Sequence, residues 1–197
     1  MNFDEILSRE LVRWNLGIPV EVRHQLSEYA SELERWNRAV NLTALNGEAL
    51  VRRLIVEPIW VGGRLQMSGT LVDVGSGNGS PGIPLSVTRE FERVVLVEPR
   101  LRRAAFLRHI VAKLSLRNIE VARDRIENLP GPVAADWISM QAIEPTEDIL
   151  VALNRIRKET TRVVWFTSRD LPPVSGAEEI CPPRSSSKIW VFQLDQT

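Results

Sequence analysis

The residues that build metal centres and disulfides are scarce in this chain of 197 residues. It has one cysteine, Cys181, and two histidines far apart, His24 and His109. A single cysteine excludes an internal disulfide and a cysteine-only metal site, and we expect no metal centre. No apolar run is long enough to span a membrane, and the acidic N-terminus lacks the apolar core of a signal peptide. We therefore expect a cytoplasmic protein that does not enter a membrane.

Lysine is also scarce, and the formal net charge is zero. Three of the 25 basic residues are lysines, and the other 22 are arginines. A neutral chain has no global field that would attract a polyanion. Arginine suits phosphate groups and stacked bases, although an arginine bias can equally reflect genome composition. The length fits one domain with a small appendage.

The most informative segment is an apolar strand that ends in Asp73 and is followed by glycines at alternate positions, Gly75, Gly77 and Gly79. This pattern predicts a buried strand, a tight turn and then a helix. Alternate glycines tolerate positive φ angles and let a ligand approach the backbone. The free N–H groups where the helix begins suit an electron-rich group of that ligand.

A second apolar strand ends in an acid, Glu98. In nucleotide-binding α/β folds, a carboxylate at this point accepts hydrogen bonds from ribose hydroxyls. Two cofactor classes need such a turn and such an acid: the nicotinamide dinucleotides and S-adenosylmethionine. The segment 77–82 even satisfies the G-x-G-x-x-G pattern of dinucleotide enzymes.

Three features favour S-adenosylmethionine over a dinucleotide. The glycine turn begins only after about seventy residues, whereas a nicotinamide domain usually opens with it. Too little chain follows for a separate substrate domain. No pair of residues suited to hydride transfer is visible, since the one tyrosine, Tyr29, lies far from the turn in sequence.

Helical patterns at 3–16, 22–40 and 47–60 precede a region where strands and helices alternate. The predicted strands are 70–74, 94–98, 119–123, 134–140, 162–167 and 189–192. This alternation predicts a parallel sheet with helices on both faces. A final strand pair without an intervening helix matches the antiparallel edge typical of methyltransferases. We therefore expect an α/β protein with a class I, Rossmann-like methyltransferase fold and a mostly parallel seven-stranded sheet. Residues 1–66 would form a helical extension packed on a core of residues 67–197.

Three motifs resemble the glucose-inhibited division protein B family: W-N-x-x-x-N-L-T at 36–43, D-V-G-S-G-N-G-S-P-G-I-P-L at 73–85 and R-A-A-F-L-R at 103–108. The resemblance extends over residues 20–170. Members of this family are small-subunit ribosomal RNA methyltransferases G, which use S-adenosylmethionine to methylate guanine N7 in 16S RNA. The resemblance implies that cofactor, with 16S RNA or a small-subunit particle as partner, and we expect a monomer.

The resemblance also implies site residues. For the cofactor these are Asp73, Gly75, Ser76, Gly77, Asn78, Gly79, Ser80, Glu98, Pro99, Arg125, Ile126, Glu127 and Gln141. For the substrate they are Asn41, Arg53, Glu57 and Arg103. Guanine N7 carries an unprotonated lone pair, so no general base is required and no catalytic residue is assigned. Catalysis is expected from alignment of the base with the methyl group.

This chain departs from the family pattern at several polar positions. The family usually has R-H-x-x-D-S where this chain has R-L-I-V-E-P, which places Leu54 and Pro58 at unusual positions. Serine replaces a bulky apolar residue at Ser80, glutamine replaces an arginine at Gln141, and a K-G pair is missing near Thr167. Either the acceptor has shifted or the activity has weakened. Two alternatives therefore stay open: a methyltransferase with another nucleic-acid or small-molecule acceptor, and a protein that binds the cofactor or RNA without turnover.

Overall fold

The computed structural model describes residues 2–129, 133–170 and 174–194. The first part of the chain is helical: α1 (Phe3–Arg13), α2 (Val20–Val40), α3 (Gly47–Val51) and α4 (Glu57–Arg64), with a π-helical turn (Arg52–Val56) between α3 and α4. The predicted helix at 47–60 is therefore one helical run with a π turn inside it. Pro58 lies in the first turn of α4.

Strands and helices then alternate as the sequence predicts. They are β1 (Gly69–Val74), α5 (Gly82–Thr88), β2 (Phe91–Val97), α6 (Leu101–Lys113), β3 (Ile119–Ala122), a 3-10 turn (Ile126–Asn128), β4 (Ala135–Gln141), α7 (Glu147–Asn154), β5 (Arg157–Thr167), β6 (Glu178–Ile180) and β7 (Lys188–Gln193). Thr146 is the N-cap of α7, and its hydroxyl accepts a hydrogen bond from the Ile149 backbone N–H.

Within the described ranges, seven strands form one sheet in the order β3-β2-β1-β4-β5-β7-β6. The first five strands of that order are parallel, and β7 is antiparallel to β5 and to β6. The predicted class I methyltransferase fold is confirmed, including its antiparallel edge. The apolar pattern does not indicate the short strand β6, and β5 begins five residues earlier than that pattern predicts.

Apolar side chains cover both faces of the sheet. On one face, Leu71 and Leu96 belong to the same buried cluster as Leu26 and Leu33 of α2. On the other face, the neighbouring residues of β1 and β2 pack in a second cluster with α7. The N-terminal helices thus pack against the same face of the sheet as α5 and α6. No helix in the described ranges is both long and apolar enough to cross a membrane.

Candidate functional site

The glycine turn begins where β1 ends beside β2. The backbone N–H groups of Gly75 and Ser76 both donate to the carbonyl of Val97, at 2.8 and 3.0 Å. Because Val97 is the last residue of β2, these two bonds fix the start of the turn to the carboxyl end of the neighbouring strand. In open α/β sheets, this end is where ligands bind.

Glu98 lies directly beside this turn and is almost fully buried. Its Oε2 accepts the Gly77 N–H at 3.0 Å, and its Oε1 accepts the Arg100 N–H at 2.8 Å. Each carboxylate oxygen can accept a further hydrogen bond. Glu98 therefore braces the turn and retains acceptor capacity for a hydroxyl group of a ligand.

Two glycines of the turn have positive φ angles, and the surroundings of one of them also exclude a side chain. Gly75 has a φ of +69°, and a Cβ there would overlap the Cδ1 atom of Ile143. Gly77 has a φ of +46°, and its Cβ would lie 3.4 Å from a terminal nitrogen of Arg103. Side chains at these positions would occupy space beside the backbone of the turn.

Tyr29 connects α2 to the same turn. Its side chain is fully buried, and its hydroxyl donates to the carbonyl of Asn78 at 2.9 Å. Burial raises the pKa of the Tyr29 hydroxyl, and the charge of Asp73 raises it further. The N-terminal helices thus help to position the turn.

We expect Tyr29→Phe to lower the free energy of unfolding by about 1 kcal/mol, because the Asn78 carbonyl loses its hydroxyl donor while the ring packing is kept. Urea denaturation of the wild type and the variant measures this difference. An unchanged midpoint would show that the hydroxyl bond contributes nothing to the stability of the turn.

Asp73 and Ser80 are polar groups buried under the turn. Asp73 Oδ1 accepts the Ser139 hydroxyl at 2.7 Å, and Asp73 Oδ2 has no hydrogen-bond partner among the described residues. The Ser80 hydroxyl likewise has no partner in the described part of the chain. Burial raises the pKa of Asp73 to about 6, against the lowering effect of the Ser139 hydroxyl.

A cavity of about 420 Å³ opens beside the turn. Its lining comes from six parts of the chain: Leu42, Thr43, Leu45, Arg53, Leu54, Gly75, Ser76, Gly77, Asn78, Ser80, Arg103, Gln141, Ala142, Phe166, Thr167 and Ser168. The lining contains two arginines and no carboxylate or histidine. It suits a ligand that carries an anionic group and a flat apolar part.

Eight of the predicted site residues line this cavity together: Gly75, Ser76, Gly77, Asn78, Ser80, Gln141, Arg53 and Arg103. The remaining nine do not belong to its lining. Asp73 is buried beneath the turn, and Glu98 contacts Gly77 from the side. Gly79 has a φ of +93° and packs against Tyr29. Asn41 ends α2, and its carbonyl accepts a hydrogen bond from Arg103 at 3.3 Å.

The other five predicted residues lie on neighbouring elements. Pro99 and Arg125 are exposed, while Ile126 is buried in the second apolar cluster and Glu127 follows it in the 3-10 turn. Glu57 is buried at the start of α4 and accepts hydrogen bonds from two serine hydroxyls near the C-terminus, those of Ser185 and Ser187. The role of each residue stays a prediction.

Sequence reasoning missed several residues of the cavity wall. Leu45 follows the W-N-x-x-x-N-L-T motif, and Phe166 and Ser168 lie at the end of β5. The W-N-x-x-x-N-L-T motif was a signal for the loop that carries Leu45. Its Asn37 side chain accepts hydrogen bonds from the Leu42 and Thr43 N–H groups and so fixes the loop after α2. The K-G position of the family pattern falls near Thr167 and Ser168, whereas no local pattern marks Phe166. No group of metal-binding side chains occurs in the described ranges.

The family model and the relatives that match this chain carry the same family name. A family model, GidB, rRNA small subunit methyltransferase G, matches residues 22–170. Ribosomal RNA small subunit methyltransferase G of Yersinia enterocolitica is 36% identical over 137 residues, which cover 68% of this chain and 66% of that protein. The protein of the same name from Xanthomonas oryzae pv. oryzae is 38% identical over 126 residues, which cover 64% and 59%. The match thus spans less than two thirds of each of these relatives, 66% of the first and 59% of the second.

Solved structures resemble this fold at low sequence identity. A SAM-dependent methyltransferase from Aquifex aeolicus has a TM-score of 0.58 and 17% identity, and the match covers 82% of this chain and 97% of that one. Precorrin-6y C5,15-methyltransferase from Geobacter metallireducens has a TM-score of 0.54 and 16% identity, with coverage of 76% and 89%. At such identity, the likeness concerns the fold alone.

Proposed function

This chain belongs to the rRNA small subunit methyltransferase G family, and from that premise we propose that it transfers a methyl group from S-adenosylmethionine to N7 of a guanine in 16S ribosomal RNA. The observation that carries the proposal is the lining of the 420 Å³ cavity. It joins the glycine turn to an apolar wall and two arginines, without a side chain that could act as a general base.

The turn fits S-adenosylmethionine on observations of this structure. Glycines leave the backbone of the turn open, and the buried Ser80 hydroxyl has no partner within the described residues. Glu98 retains acceptor capacity for ribose hydroxyls, and Arg53 or Arg103 would attract the carboxylate of the methionine part. When bound, the cofactor would supply an electrophilic methyl group on a sulfonium.

The rest of the lining fits a flat acceptor whose nucleophile needs no deprotonation. Leu42, Leu45, Leu54 and Phe166 supply apolar surface, and proteins hold unstacked bases against such surfaces. A ring nitrogen with a free lone pair, such as guanine N7, requires only alignment with the methyl group. Well-aligned reactants gain several kcal/mol from positioning alone.

Four departures from the family pattern fall on this same cavity. The residues Leu54, Ser80, Gln141 and Thr167 all line it, so the changes concern the ligand site rather than a distant surface. We propose that the altered lining adjusts contacts with the acceptor while the glycine turn still holds the cofactor. We also propose a cytoplasmic monomer in which residues 1–66 are a helical extension of the core at 67–197.

Transfer of tritium from methyl-labelled S-adenosylmethionine to unmethylated small-subunit particles tests the proposal. We expect label in the 16S RNA, released after nucleoside digestion as 7-methylguanosine. Label in another nucleoside, or in a small molecule of a cell extract, would identify a different acceptor. Cofactor binding without transfer to any of these would favour a binding protein without turnover.

A further inference from the structure

A second cavity, of about 300 Å³, lies where the π turn meets the loop between β6 and β7. We call it the arginine cleft, and its lining is Ala49, Arg52, Arg53, Arg184, Ser185 and Ser186. Three of these six residues carry a positive charge, and none carries a negative one. Arg52, Arg184 and Ser186 are not among the residues that the family resemblance implies for the cofactor or the RNA.

The charges of the cleft are only partly compensated. The side chains of Arg52 and Arg184 form no hydrogen bond or ion pair with another residue of the described ranges. Arg53 approaches one carboxylate, with its Nε 3.6 Å from Glu57 Oε2, and Glu57 is almost fully buried. Burial raises the pKa of Glu57, and the charges of Arg53 and Arg52 act against that rise. The carboxylate of Glu57 thus acts on two of the three arginines of the cleft, and guanidinium groups are suited to bind phosphate oxygens.

Glu57 holds the two sides of the cleft together. Its carboxylate oxygens accept the hydroxyls of Ser185 and Ser187, each at 2.5 Å. These bonds tie the β6–β7 loop to the first turn of α4, and Arg184 stands next to Ser185 in that loop. Glu57 therefore acts as a positioning residue for the cleft, since its own side chain is not accessible.

The cleft adjoins the cofactor cavity through one shared residue. Arg53 lines both cavities, so an anion in the cleft would lie beside a ligand in the larger cavity. A nucleic acid with one base in the larger cavity would have its backbone within reach of Arg52 and Arg184. Phosphate contacts of this kind orient a nucleic acid without reading its sequence.

We propose that the arginine cleft binds a backbone phosphate of the RNA whose target base enters the larger cavity. The inference rests on the proposed function, because it takes RNA as the acceptor. It assigns substrate binding to Arg52 and Arg184, and it assigns to Glu57 a positioning role in place of direct substrate contact.

The test is filter binding of in vitro transcribed 16S RNA to the wild type and to Arg52→Ala combined with Arg184→Ala, over a series of salt concentrations. We expect the double variant to bind RNA about tenfold more weakly than the wild type at about 0.1 M salt. In a plot of log binding constant against log salt concentration, its slope should be smaller by about 0.7 to 0.9 for each phosphate that it no longer neutralises. The affinity for S-adenosylmethionine should not change, since neither residue lines the larger cavity.

Arg117→Ala is the matched control. Arg117 is exposed in the loop between α6 and β3, at the opposite edge of the sheet, and should leave RNA binding unchanged. Arg52→Lys combined with Arg184→Lys keeps both positive charges, so this variant should retain most of the salt dependence of RNA binding that the wild type shows. Thermal melts show whether each variant is folded.

The outcomes separate the two proposals. If the wild type binds RNA and the double variant matches Arg117→Ala, the cleft proposal is wrong and the proposed function stands. If the wild type binds S-adenosylmethionine but shows no salt-dependent RNA binding, the RNA acceptor is wrong and the cleft proposal falls with it.

Discussion

Gly77→Arg is expected to weaken S-adenosylmethionine binding by at least about 100-fold, or about 2.7 kcal/mol. Gly77 lines the larger cavity with a φ of +46°, which an L side chain adopts only at a cost. Its Cβ would already lie 3.4 Å from Arg103, and the long side chain would extend into the space proposed for the cofactor. The added charge would also repel Arg103. Calorimetric titration of both proteins measures the difference in affinity.

Gly63→Arg provides the matched control for this titration. Gly63 is exposed on α4, and a Cβ there would meet no atom within 4 Å. The same residue change should therefore leave the affinity for S-adenosylmethionine as it is in the wild type. Equal binding by Gly77→Arg and the wild type would refute the placement of the cofactor at the turn. No binding by the wild type itself would indicate that Ser80 and Gln141 mark a disabled pocket.

The core of the site could be predicted because its signals are local. The strand that ends in Asp73 and the alternate glycines after it leave little choice of backbone conformation, and the turn forms where expected. The acid after the second strand lies beside the turn because neighbouring parallel strands end at the same edge of the sheet. The sheet itself follows from the alternation of apolar strands with helices.

The remaining parts of the site depend on contacts between distant segments. Phe166 and Leu45 reach the cavity only because β5 and the loop after α2 meet across the glycine turn. Glu57 and Ser187 are 130 residues apart, and their hydrogen bond has no signature in either segment. The π turn at Arg52–Val56 lies inside a sequence that is typical of an ordinary helix. Periodicity does not show such an insertion, although π turns often occur at functional sites.

Local sequence signals and long-range contacts both identify Arg53 as a residue of the site. The family motif marks it as a site residue, and the structure adds that it lines two cavities and lies beside a buried carboxylate. The π turn presents Arg52 and Arg53 to the same cleft. A single residue between cofactor and phosphate sites would couple the position of the RNA backbone to the position of the base. This arrangement is consistent with a reaction that depends on alignment.

Asp73→Asn is expected to change how stability depends on pH. Burial, together with the nearby charge of Glu98, raises the pKa of Asp73 from 3.8 to about 6. Below pH 3.8 the carboxyl is protonated in both the folded and the unfolded chain, so it makes no difference to stability. Between pH 3.8 and 6 the unfolded chain loses this proton while the folded chain keeps it, so stability falls as pH rises. Above about pH 6 the destabilisation is complete, at about 3 kcal/mol.

The asparagine variant cannot ionise, and its amide oxygen can still accept the Ser139 hydroxyl. The difference in unfolding free energy, variant minus wild type, should therefore rise by about 3 kcal/mol between about pH 4 and pH 7. Urea denaturation at half-unit pH steps measures it. Asp148→Asn, an exposed position in the first turn of α7, controls for the removal of one carboxylate. A difference that stays flat across this range would show that Asp73 is ionised throughout. In that case the hydrogen bonds that the carboxylate accepts, the Ser139 hydroxyl bond first among them, would offset the cost of burying its charge.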